Sequence, residues 1–92
     1  MTYRIELVKQ SAKQLKSLSI EDQQRIKIKI DALADVPRPD GVVKLTGEDN
    51  LYRIRVGNYR IIYSIQDNQL LILVLKIGHR RDVYQWLAKE IK

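Results

Sequence analysis

Leu51-Tyr52-Arg53-Ile54-Arg55-Val56-Gly57-Asn58-Tyr59-Arg60-Ile61-Ile62-Tyr63 is the stretch that decides the fold. Two alternating runs rich in aromatic and β-branched residues flank Gly57-Asn58, a two-residue hairpin signal. With Gly57 and Asn58 as the loop, Val56 faces Tyr59, Arg55 faces Arg60, Ile54 faces Ile61, Arg53 faces Ile62 and Tyr52 faces Tyr63. Side chains alternate along a strand. One face of this hairpin therefore carries Tyr52, Ile54, Val56, Tyr59, Ile61 and Tyr63, and the other presents Arg53, Arg55 and Arg60.

Working outward, the strand pattern spans 42–77: Val42 to Leu45, a polar turn from Thr46 to Asn50, the hairpin through Gln66, a turn at Asp67 to Gln69, and a last strand from Leu70 to Ile77. The uninterrupted Leu71-Ile72-Leu73-Val74-Leu75 reads as a central strand buried on both faces. Gly78-His79-Arg80-Arg81-Asp82 follows as a loop at its carboxyl end, and a short helix is expected to begin near Asp82, with Asp82 as its cap. Upstream, Tyr3, Ile5 and Leu7 alternate as a first strand; Val8, Ala12, Leu15 and Leu18 then take helical spacing. Ser19 caps a second helix, with Glu21 and Asp22 in its first turn, Glu21 paired to Arg25, and a stripe of Ile26, Ile30, Leu33 and Ala34. It runs to about Asp35 and is ended by Pro37 and Pro39. The expected fold is α+β: a small, antiparallel-rich sheet packed by two N-terminal helices, in the order βααββββ with a short C-terminal helix.

Ninety-two residues suit one small domain, and 45% hydrophobic residues suffice for one core. A two-domain cofactor enzyme is excluded. Without cysteine there is no disulfide framework, thiolate metal site or cysteine nucleophile, and a single histidine makes a zinc site a poor fit. Neither metal nor organic cofactor is expected. The longest apolar run, Leu70 to Leu75, is too short to span a bilayer, so no membrane association is expected and the cytoplasm is the expected location. Net charge is +6 and unevenly spread: residues 1–50 hold nine Lys/Arg against eight Asp/Glu, whereas residues 51–92 hold eight against three. The second half is the anion-facing half.

Two arginines opposite each other destabilise a strand pair by up to about 1 kcal/mol unless an anion lies between them. Folding alone would not select Arg55 opposite Arg60. A solvated basic face that guards solubility is the competing explanation. Arginine, however, grips phosphate with a planar, permanently charged fork, which favours a phosphate ligand. Tyrosines near such a cluster can stack on unpaired bases of RNA, and Tyr84 lies near the basic loop, whereas Tyr52 and Tyr63 read as core.

Lys44-Leu45-x-Gly47, Leu51-Tyr52-Arg53-Ile54-Arg55, Gly57-Asn58-Tyr59-Arg60-Ile61-Ile62-Tyr63 and Lys76-Ile77-Gly78-His79-Arg80-Arg81-Asp82-Val83-Tyr84 together resemble the RelE/ParE superfamily of toxins, on the RelE side. The resemblance covers nearly the whole chain. It implies a small endoribonuclease that enters the ribosomal A site and cuts mRNA, silenced by a cognate antitoxin. It leaves open whether an antitoxin complex binds DNA. Carried over position by position, Arg53, Arg55, Arg60, Arg80 and Tyr84 are the implied catalytic residues, with Lys44 and Arg81 as RNA contacts.

Cleavage by attack of a 2′-hydroxyl on the adjacent phosphate needs a proton acceptor, a donor to the leaving 5′-oxygen and positive charge for the pentacoordinate intermediate. Arginines supply the last. Where the best-known family member has lysines on the first hairpin strand, this chain has Arg53 and Arg55, which do not give up a proton. His79 titrates near neutrality and is a candidate acid or base, the alternative being a loop histidine facing solvent. Tyr84 stacks on a base or positions a proton chain, or else packs the last helix on the sheet. Other functions to distinguish are a ParE-like gyrase inhibitor and a non-catalytic basic module that binds nucleic acid.

Overall fold

The structure, a computed structural model, describes residues 2–45 and 50–90. The chain begins with β1 (Arg4–Leu7), α1 (Lys9–Lys16) and α2 (Ile20–Ala32). There follow β2 (Val43–Lys44), β3 (Leu51–Val56), β4 (Tyr59–Gln66), a single 3₁₀ turn at Asp67–Gln69, β5 (Leu71–His79) and α3 (Arg80–Glu90).

Local chemistry explains the helix ends. Ser19 Oγ accepts the Asp22 N–H at 3.2 Å, and Glu21 and Asp22 sit in the first turn of α2, where the helix dipole favours acids. Arg25 pairs with Asp22 at 3.6 Å; the pair expected with Glu21 is not the one formed, because residues three apart are also neighbours on a helix and Asp22 is held in place by a second partner described below. The helix ends at Ala32, earlier than the expected Asp35. Beyond it the Leu33, Ala34 and Asp35 amides bond three residues back, a tightening that precedes the conformational restriction imposed by Pro37.

The five strands lie in the order β1-β5-β4-β3-β2. β1 runs parallel to β5 and every other pair is antiparallel, so the sheet is mixed. The β3–β4 register is the expected one throughout, from Tyr52 opposite Tyr63 to Val56 opposite Tyr59. Gly57 has φ +59 and Asn58 is not in the left-handed region, the pattern of a II′ turn with glycine first. β2 is shorter than the expected strand over 42–45, and the turn expected over Thr46 to Asn50 lies, apart from Asn50, outside the described residues.

The core lies between one face of the sheet and the first two helices. Ile26, Ile30 and Leu33 of α2 and its C-terminal turn pack with Tyr52, Ile54, Ile61, Tyr63, Ile65, Ile72, Val74 and Ile77. β5 is interior, as expected of its apolar run, but its alternation is reset by a bulge: Ile62 pairs with Lys76 and Tyr63 with Val74, leaving Leu75 unpaired. The extra residue turns Lys76 outward and brings Ile77 into the core.

α3 covers the other face. Ile62 and Val83 are fully buried there, and a Cβ on Gly78 would lie 3.6 Å from Val83 Cγ2. Two expectations are corrected at this point. Residues 78–82 are not a loop: β5 continues to His79, pairing Gly78 with Arg60 and His79 with Tyr59, and passes directly into α3 at Arg80. Asp82 is consequently not a cap but sits inside the first turn of α3, where its charge still complements the helix dipole. No described helix is long and apolar enough to cross a membrane.

Candidate phosphate-binding site

An open cleft of about 790 Å³ lies where the β3–β4 hairpin tip meets the β5–α3 junction. Arg55 comes from β3, Gly57 and Asn58 from the turn, and Arg60 from β4. His79, Arg80, Arg81, Asp82 and Tyr84 complete the wall from the opposite side. Beyond the β4–β5 ladder, one backbone hydrogen bond ties the two sides together, and the Arg60 side chain is fixed within its own hairpin. The Arg80 N–H donates to Asn58 O at 3.1 Å, and Arg60 Nη1 donates to Tyr59 O at 3.0 Å and Gly57 O at 3.3 Å.

Tyr84 is the meeting point of the charges. The Arg53 guanidinium carbon is 5.4 Å from its ring centroid and that of Arg80 is 5.8 Å away, both within cation–π range. Burial pushes the Tyr84 phenol up, but the Arg60 guanidinium beside its hydroxyl and the positive charges of Arg53, Arg60 and Arg80 outweigh that, and the net shift is downward. Tyr84 is 37% exposed and lines the cleft.

Among the described residues the ion pairs are Arg4–Glu6 at 2.7 Å, Arg25–Asp22 at 3.6 Å and Arg38–Asp67 at 2.9 Å. Arg53, Arg55, Arg60, Arg80 and Arg81 take part in none of them. Asp82 is the one acid in the cleft wall and forms no ion pair with these arginines, so among the described residues the positive charge of the cluster is in excess and attracts an anion.

Of the residues singled out in the sequence, Arg55, Arg60, Arg80, Arg81, Tyr84 and His79 border the one cleft. Arg53 joins them through the Tyr84 ring. Lys44 stands apart: it pairs with Tyr52 on β2, so it shares the sheet face of Tyr52 and does not line the cleft. His79 is differently disposed from the arginines. Its ring stacks on that of Tyr59, with centroids 4.6 Å apart at 29°, and the Tyr59 hydroxyl donates to Asp22 Oδ2 at 2.9 Å. That hydrogen bond raises the Tyr59 phenol above its ordinary value.

A second arginine–tyrosine cluster has no signal in the sequence pattern. Arg38 Nε donates to Tyr52 Oη at 3.0 Å and its Nη2 to Asp67 Oδ2 at 2.9 Å, while the Tyr3 hydroxyl donates to Asp67 Oδ1 at 2.6 Å. Arg38 lies between two prolines in an irregular segment, where no periodicity marks it. The cluster ties that segment to the start of the chain and to the β4–β5 turn.

The family model for the ParE toxin of type II toxin–antitoxin systems matches residues 5–84. A Methanocaldococcus jannaschii protein bearing the name of toxin RelE1 is 30% identical over 88 residues, covering 92% of this chain and 98% of its own. The crystal structure of the archaeal RelE–RelB complex from Pyrococcus horikoshii OT3 contains a chain 39% identical, with a TM-score of 0.78, over 87% of this chain and 97% of that one. A mutant of the Escherichia coli toxin RelE in the free state is 25% identical with a TM-score of 0.79 and covers both chains completely. Sequence, fold and family model agree, and the chain belongs to the RelE/ParE superfamily, as a RelE-like toxin of a toxin–antitoxin system.

Proposed function

We propose that this toxin is a ribosome-dependent endoribonuclease that cleaves translated mRNA in the ribosomal A site and so arrests translation in the cytoplasm. The observation that most supports this reading is the convergence of Arg55, Arg60, Arg80 and Arg81 on one open cleft without a carboxylate partner among the described residues. In the reaction the 2′-oxygen of one nucleotide attacks the adjacent phosphorus. The P–O5′ bond breaks, leaving a 2′,3′-cyclic phosphate and a free 5′-hydroxyl. Charge develops on the non-bridging oxygens, and Arg60 and Arg80, which both border the cleft beside Tyr84, stabilise it.

Arg53 and Arg55 hold the flanking backbone, Arg81 adds a further phosphate contact, and Tyr84 stacks on a base or orients the reacting hydroxyl. Lys44 contacts RNA away from the scissile bond. His79 borders the cleft with its ring stacked on that of Tyr59, and the reaction proposed here does not use it as an acid or base. The ribosome supplies the remaining orientation of the mRNA, which alone lowers a barrier by several kcal/mol, on the order of 7 or more in well-oriented intramolecular reactions. Free RNA is then a poor substrate.

The RelB found with the Pyrococcus RelE suggests the partner here, a cognate antitoxin whose acidic segment neutralises the basic half of this chain. A second reading, inhibition of DNA gyrase, is favoured by the ParE toxin model that matches 5–84. One experiment separates the two: induction in a translating extract with mapping of mRNA 5′ ends, beside a supercoiling assay. Cleavage lost in Arg60→Ala, with the fold intact, supports the nuclease. Blocked supercoiling with intact mRNA supports the gyrase reading.

A further inference from the structure

Tyr59 and His79 form the last rung of the β4–β5 ladder. Beyond it β4 turns into the hairpin loop and β5 becomes α3, so no further strand pairing fixes the geometry of that end. The two residues that follow, Arg60 after Tyr59 and Arg80 after His79, both line the cleft, one from β4 and one from α3. Terminal rungs are where a ladder opens first. This rung carries additional restraints: the Tyr59–His79 stack at 4.6 Å, the Tyr59 hydroxyl bonded to Asp22 at 2.9 Å, and the Arg80 amide bonded to Asn58 at 3.1 Å. Asp22 is on α2, which is anchored in the core through Ile26 and Ile30.

We infer that Asp22, Tyr59 and His79 form a positioning chain that holds the hairpin tip against the β5–α3 junction and thereby sets the separation of Arg60 and Arg80. The imidazole acts as a flat, exposed ring that stacks on Tyr59 at the edge of the cleft, and its part is positional. Alternation of side chains explains why the device can work unseen: the stack lies on the sheet face of the first two helices, while Arg60, one residue on, lies on the face of α3. A misplacement of about 1 Å in such a site costs on the order of a hundredfold in rate.

This inference rests on the nuclease reading for its rate measurement and has a second readout that does not. In full-length protein with ribosomes and mRNA, His79→Ala is expected to lower the single-turnover cleavage rate about 10- to 100-fold at saturating ribosomes, with the half-saturating concentration unchanged. His79→Phe, which keeps a flat ring and removes every titrating atom, is expected to restore the rate to near wild type. Tyr59→Phe keeps the stack and loses the Asp22 bond, for an expected loss of about two- to tenfold. In the free protein, hydrogen exchange of the Arg80 amide is expected to quicken about two- to tenfold in His79→Ala and not in His79→Phe.

A folded His79→Phe as inactive as His79→Ala would overturn the inference, since imidazole chemistry would then be required. So would a His79→Ala with wild-type rate and wild-type exchange at Arg80, and a Tyr59→Phe with wild-type rate would remove Asp22 from the chain. If the wild-type protein cleaves no mRNA, the nuclease reading fails alone, and the exchange measurement still decides whether the stack holds the junction.

Discussion

Arg55 and Arg60 stand directly opposite each other on β3 and β4, and neither is ion-paired to a carboxylate of the described residues. Facing like charges oppose strand pairing, by up to about 1 kcal/mol. Replacing one of them with a neutral β-former should therefore stabilise the fold. Arg55→Thr is expected to raise the unfolding free energy by up to about 1 kcal/mol at low salt, or roughly 4–8 °C in melting midpoint for a chain of this size. The gain should shrink as salt screens the pair. Thermal melts at two ionic strengths check this, and an unchanged midpoint at low salt would show that the pair is not strained.

Tyr84 should titrate before the other perturbed tyrosines. Burial raises its phenol, but Arg60, Arg53 and Arg80 together lower it below the ordinary value, whereas Tyr3, Tyr59 and Tyr63 are all raised. Following phenolate absorbance with pH, Tyr84→Phe should delete an early-titrating step, and Arg53→Ala should move that step to higher pH. Loss of a late step in Tyr84→Phe would contradict the arrangement of charges described for the cleft.

The Arg38–Asp67 clamp predicts a pH dependence of stability. Hydrogen bonds from Arg38 and Tyr3 hold the Asp67 carboxyl below the usual carboxylate range. A group whose folded-state pKa is depressed contributes its stability above the unfolded-state value and loses it as pH falls through the folded-state value. Asp67→Asn should accordingly melt below wild type at neutral pH, and the two curves should converge in acid. The pair is largely exposed, so the effect is modest and should weaken in salt. A gap that persists at low pH would assign the effect to something other than the carboxylate.

Gly57 and Gly78 should respond differently to the same substitution. Gly57 has φ +59, and a Cβ there would also come within 2.8 Å of Arg25 Nη2. Arg25 is an exposed, flexible side chain and can move aside, so the backbone conformation sets the cost of Gly57→Ala at about 1–3 kcal/mol. A Cβ at Gly78 meets Val83, Asp82 and Lys76 no closer than 3.6 Å, which is ordinary contact. Gly78→Ala should remain near wild-type stability. Denaturant melts of the two variants test the contrast, and equal losses would sink it.

The hairpin register and the start of α2 were legible from local causes. A two-residue loop and a period of two fix which side chain faces which across β3 and β4, so Arg55 opposite Arg60 followed from counting outward from Gly57-Asn58. Ser19 with its following acids located the start of α2 for an equally local reason, the unpaired amides of a first helical turn. The arginines that share the cleft were likewise legible, through residue pattern and family resemblance.

Tertiary structure decided what depends on partners distant in the chain. The parallel insertion of β5 between β1 and β4 and the choice of opposite sheet faces for the first two helices and α3 leave no periodic trace, because many arrangements bury the same stripes. The bulge at Leu75 exists only relative to β4, and it sets whether Lys76 or Ile77 enters the core. Continuation of β5 to His79, which removed the expected loop and turned the imidazole onto Tyr59, came from ladder bonds to a strand earlier in the chain. Arg38 found Asp67 and Tyr3 for the same reason: a salt bridge between irregular segments is set by where the fold brings their ends together, and no spacing along the chain encodes it.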